Sequence, residues 1–82
     1  MKKGFICITL GRNGSSLKVV REIQKLLDVK DYCCSTQGKY GIVIEKNMEE
    51  LSELDEFLTT LRTHPEISGI ILKTITFLGI RA

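Results

Sequence analysis

Cys7, Cys33, Cys34 and His64 are the side chains of this chain best suited to ligate a metal or carry redox chemistry. Their spacing argues against both. Successive side chains of a strand point to opposite faces, so Cys33 and Cys34 cannot chelate one ion in regular β structure. No Cys-x-x-Cys is present, and His64 ends a helical pattern just before Pro65, with no visible partner. The cysteines therefore read as structural, with no metal and no cofactor. Acyl-transfer chemistry needs a nucleophile, a base and an orienting acid, and a single histidine at the far end of a helix supplies no such set. The chain is expected not to be an enzyme.

Charge and composition narrow the classes further. Twelve Lys and Arg stand against ten Asp and Glu, a formal net charge of +2, too little to imply nucleic acid or a membrane surface as partner. The first helical segment carries Lys18, Arg21 and Lys25 beside Glu22, and the second carries Glu49, Glu50, Glu53, Asp55 and Glu56. These read as solvated helix backs that attract one another. An odd number of cysteines, with no signal-peptide core after Met1-Lys2-Lys3, points to a reducing cytoplasmic setting. The apolar run that follows ends at Leu10, short of the roughly 20 residues that a membrane span needs.

The elements that position these residues form one strand–helix–strand unit written twice. A strand at Gly4–Leu10 leads through a helix at Ser15–Leu27 to a strand at Val29–Thr36. A second strand at Tyr40–Glu45 leads through a helix at Met48–Arg62 to a strand at Ile67–Leu78. Thr36-Gln37-Gly38-Lys39 turns the chain between the halves. This βαββαβ order in 82 residues predicts a single α+β domain over 1–82. Its fold class is a ferredoxin-like two-layer sandwich with a four-stranded antiparallel sheet. A hydroxyl of Ser15 or Ser16 caps the first helix. Its core stripe is Leu17, Val20, Ile23 and Leu27, filled out by Leu26. Asn47 with Glu50 starts the second helix, whose stripe is Leu51, Leu54, Leu58 and Leu61 beside Phe57.

One helix layer covers one face of such a sheet. Ile70 and Leu72 are expected toward the helices, leaving Phe5, Cys7, Ile71, Ile75 and Phe77 on the open face. An exposed apolar patch of this kind marks an interaction site, so the chain is expected to pair with itself or to hold a peptide there.

Known families that share the fold sort on short motifs. Heavy-metal-binding members carry Cys-x-x-Cys after the first strand, where this chain has Gly11-Arg12-Asn13-Gly14. Gly11-Arg12 is similar to an acylphosphatase phosphate loop, without an asparagine to place water. Lys39–Ile44 loosely resembles the RNA-recognition signature, but Ile42 and Glu45 stand where stacking aromatics are needed.

Residues 4–78 resemble the effector-binding (RAM) domain of the Lrp/AsnC regulators, in a stand-alone form. The resemblance is carried by Gly4-Phe5-Ile6-Cys7-Ile8, by Val29-Lys30-Asp31 leading to Thr36–Tyr40, by Leu51 with Leu54–Leu58, and by Pro65-Glu66-Ile67. Against that family's Thr-Gly-x-Tyr-Asp-like turn, this chain has an added Gln37 and has Gly41 in place of the aspartate. The resemblance implies a homodimer of sheets packed face to face. It also implies an amino-acid-like effector bound between protomers near Thr36, Gly38, Tyr40 and Gly41.

Gln37–Glu45 also resembles the central segment of NapD, the cytoplasmic chaperone of periplasmic nitrate reductase. That resemblance implies a twin-arginine signal peptide on the open sheet face, with Glu45 attracting the arginines. Both readings stay open at the level of sequence.

Overall fold

The computed structural model describes residues 2–11, 16–36 and 40–80. Its elements are β1 (Lys2–Leu10), α1 (Ser16–Gln24), β2 (Tyr32–Ser35), β3 (Ile42–Met48), α2 (Leu51–Thr63) and β4 (Ile71–Ile80). The four strands form one sheet in the order β2-β3-β1-β4, with all three pairings antiparallel. This is the ferredoxin-like α+β sandwich that the doubled unit predicts. The capping hydroxyl expected before α1, and Gly38 in the turn, lie outside the described residues.

Alternation along β1 sets the two faces. Ile6 and Ile8 are fully buried toward the helices, where Ile42, Ile44 and Met48 of β3 join them. Val19, Val20 and Ile23 close this core from α1, and Leu54, Phe57 and Leu61 close it from α2. Gly4 is the point of closest approach. A Cβ there would stand 3.0 Å from Met48 Cε and 3.3 Å from Leu54 Cδ1.

Several expectations shift. Leu17 is 57% exposed, and Val19 takes its place in the α1 stripe. Two apolar positions two residues apart compete for one place in the stripe, and only packing against β2 and β3 selects between them. Leu51 likewise lies outside the α2 stripe. Val29 stands in solvent, because 28–31 form a turn ahead of a shorter β2: Asp31 N–H donates to the Asp28 carbonyl at 3.0 Å. Asn47 stays in β3 and does not cap α2. The Glu53 carboxylate instead accepts from the N–H groups of Glu49 and Glu50, at 2.7 and 2.8 Å. Those two bonds hold the Glu53 carboxyl below its ordinary range.

β4 carries the largest correction. Its pairing with β1 runs regularly from Lys2↔Ile80 to Thr9↔Lys73 and then shifts, so that Leu10 pairs with Ile71. Leu72 is the extra residue of this bulge. A bulge moves every residue beyond it to the other parity. Ile71 therefore packs against the helix-side core and does not belong to the open face.

Candidate functional site

The open face is built in cross-strand rows. Tyr32, Glu45, Phe5 and Phe77 form one row across β2, β3, β1 and β4. Cys34, Val43, Cys7 and Ile75 form the next. Directly opposed side chains lie close enough to touch, so each row is a continuous strip. Phe77 is 56% exposed and Tyr32 61%, while Phe5, Cys7, Val43 and Ile75 are half-buried by their neighbours. Four of the five face residues expected from sequence are thus brought together. Val43 and Tyr32 join them, and Ile71 leaves.

Glu45 lies inside this strip and is already engaged: Lys3 Nζ is 3.1 Å from its Oε1. At the far end of β4, Lys73 is exposed beside Thr9.

The turn expected to hold an effector is tied mainly to itself. Thr36 N–H donates to the Gly41 carbonyl at 2.8 Å, and the Thr36 hydroxyl donates to the Tyr40 carbonyl. Gly41 N–H donates to the Ile8 carbonyl at 2.9 Å, which anchors the turn to β1. Thr36, Tyr40 and Gly41 therefore cluster, at the end of the sheet nearest the β4 bulge.

The cysteines separate as alternation requires. Cys33 is buried on the helix face, where burial and the adjacent Cys34 push its thiol up to about 11. Cys7 and Cys34 share the open face with Val43 between them. All three are free thiols. Among the described residues no group of three metal-ligating side chains gathers. His64, expected to stand alone, has neighbours: its Nδ1 accepts from Glu66 N–H at 3.1 Å, and its Nε2 lies 3.9 Å from Glu22 of α1.

A buried polar network escaped the sequence reading. The Asp31 side chain has no solvent contact, and the Lys46 side chain is 11% exposed. Asp31 accepts from Asn47 N–H at 2.8 Å, from Lys46 Nζ at 2.9 Å and from Asp28 N–H at 3.0 Å. Desolvation pushes its carboxyl up, but these donors outweigh it and hold the group below its ordinary range. Lys46 Nζ also sits 5.9 Å from the Phe57 ring centroid. The signal was present: Lys46 falls at the inward parity of Ile42, Ile44 and Met48, where a lysine requires an acid. The network fastens the 28–31 turn to β3.

No protein-family model matches this chain, and no curated protein matches it. Solved structures do. A protein of Thermus thermophilus, TTHA0845, superposes with a TM-score of 0.79 at 25% identity, covering 100% of this chain and 96% of that one. The hypothetical protein PHS023 of Pyrococcus horikoshii gives 0.77 at 23% identity, with 100% and 93% covered. FFRP-DM1 gives 0.75 at 21% identity, with 98% and 100% covered. These superpositions bear out the ferredoxin-like fold over the length of the chain. Among the described residues no helix is long and apolar enough to cross a membrane.

Proposed function

We propose that this chain is a RAM-like dimerisation and small-molecule-binding module that acts in regulation and catalyses no reaction. The observation that carries the reading is the pair of cross-strand rows on the open face, centred on Phe5, Phe77, Val43 and Ile75. Two features suit that face to a second copy of itself. Its size is one: four strands about 4.8 Å apart, of 9, 4, 7 and 10 residues at about 3.4 Å each, project about 490 Å². That is about three-fifths of the roughly 800 Å² per partner of a standard stable interface, before any corrugation or flanking turn is counted. Its charge is the other: Lys3 neutralises Glu45 within the protomer, so the face can be covered without stranding an unpaired carboxylate.

The same ion pair weighs against a signal peptide as occupant, since an incoming arginine would have to displace Lys3 from Glu45. A small effector in this reading would bind beside the Thr36–Gly41 turn, at the margin of the paired sheets. Absolute mass by light scattering at micromolar concentration tests the reading. The wild-type chain is expected as a dimer or larger closed assembly, and Phe77→Asp as a folded monomer. A wild-type monomer at that concentration would overturn it and favour a peptide partner.

A further inference from the structure

On the opposite side of β4, the C-terminal half of α2, the 64–70 turns and the start of β4 enclose a cleft of about 100 Å³. Leu58, Leu61 and Arg62 reach it from one face of α2, at the i, i+3, i+4 spacing that brings helical side chains together. Ser68 comes from the turns, and Ile71 and Thr74 come from β4. Residues three apart on a regular strand face opposite ways. The bulge at Leu72 is what brings Ile71 and Thr74 to the same side.

We propose that this cleft binds a small aliphatic monocarboxylate. Its apolar lining is Leu58, Leu61 and Ile71, and its polar lining residues, Arg62, Ser68 and Thr74, can offer a guanidinium and two hydroxyls. Among the described residues, the side chains of Arg62, Ser68 and Thr74 have no hydrogen-bond or ion-pair partner. A carboxylate satisfies a guanidinium in a bidentate manner, and a hydroxyl donor adds to it.

Size and sign narrow the ligand further. A cavity of roughly 150 Å³ takes benzene, so this one suits a chain of about four to six heavy atoms, such as propionate or butyrate. Among the described residues no acidic side chain lines the cleft, so the ammonium of an amino acid would lose hydration there without gaining a charged partner. Inorganic phosphate would leave the apolar floor unfilled. The cleft lies on the face of β4 turned away from the dimer surface, so this site and the proposed dimer stand or fall separately.

The test is a ¹H–¹⁵N correlation titration of the full chain with butyrate, 2-aminobutyrate and inorganic phosphate. Butyrate should give saturable shifts centred on residues 58–62, 68, 71 and 74, with millimolar half-saturation, as a ligand this small allows. The other two compounds should bind at least tenfold more weakly. Arg62→Gln, a change at an exposed side chain, should weaken butyrate at least tenfold with the rest of the spectrum intact, and Arg62→Lys should fall between. No saturation by about 50 mM butyrate overturns the site, that limit lying well above the expected millimolar range. An equal response to phosphate or 2-aminobutyrate, or an unchanged response in Arg62→Gln, overturns the assignment to a carboxylate with an alkyl tail.

Discussion

Replacing Asp31 with alanine should destabilise this domain more than any surface change of similar size. The substitution removes an acceptor for three donors at 2.8–3.0 Å and leaves the largely buried Lys46 ammonium without its counter-ion. Breaking a fully buried pair in this way costs about 3–5 kcal/mol. The network lies just beneath the 28–31 turn, where water can reach a stranded ammonium, so about 2–3 kcal/mol is expected here. A domain of 82 residues has about 4–12 kcal/mol in all. Urea denaturation followed by circular dichroism should therefore show a much lower midpoint with little change in slope. The pH dependence gives a second readout. The folded carboxyl lies below its unfolded value of about 3.9, so its stabilisation is complete above that value. It is lost as pH falls through the lower folded value. The gap between wild type and Asp31→Ala should hold steady from about pH 7 to pH 5 and close below about pH 4. Lys46→Met should cost less, because Asp31 keeps its two backbone donors and an apolar side chain replaces the ammonium near the Phe57 ring. A loss under about 1 kcal/mol, or a gap that does not close in acid, would refute the assignment of this network as a buried anchor.

Gly4→Val should destabilise by about 1–3 kcal/mol in the same assay, since its branches would press on Met48 and Leu54, whereas Gly4→Ala should be nearly neutral because Met48 Cε can swing aside. Thiol titration of the native chain should find Cys7 and Cys34 reactive and Cys33 silent until denaturant is added, since its raised thiol stays protonated in the core. If a second copy covers the open face, the labelling rate of Cys7 and Cys34 should fall as protein concentration rises through the dimer range, while a concentration-independent rate would count against self-pairing. Lys3→Met should weaken that dimer by exposing an unpaired Glu45 to burial, and Lys3→Met combined with Glu45→Gln should restore it, as read by concentration-dependent mass.

What could be read in advance follows the range of the forces involved. The inward parity of Ile6 and Ile8 and the helical stripe through Leu54, Phe57 and Leu61 are local patterns, and each stands where the spacing predicts. Ile71 was misplaced because the bulge that reorients it exists only in the register between β4 and β1, at opposite ends of the chain. Asn47 looked like a helix start because a capping signal is local. Its backbone N–H is instead claimed by Asp31, sixteen positions away, and its side-chain amide by the Lys30 carbonyl at 2.5 Å. The same long-range network drew Lys46 inward, where a residue-by-residue reading expects a solvated charge. The cleft was invisible for the same reason, since Ile71 and Thr74 face it together only because of the bulge.

β4 therefore serves two surfaces at once. Phe77 and Ile75 present their side chains to the open face, and beyond Leu72 the strand gives Ile71 to the helix side, beside Thr74. A ligand in the cleft and a protomer on the open face would bear on one edge strand from opposite sides. That shared strand does not by itself make one binding event report on the other. Coupling requires that the ligand bind monomer and dimer with different affinity, and by linkage the dimer would then favour or disfavour the ligand by the same factor. The bulge is where such a difference would arise. The bulge at Leu72 sets the cleft-lining residues and the start of the open-face row together.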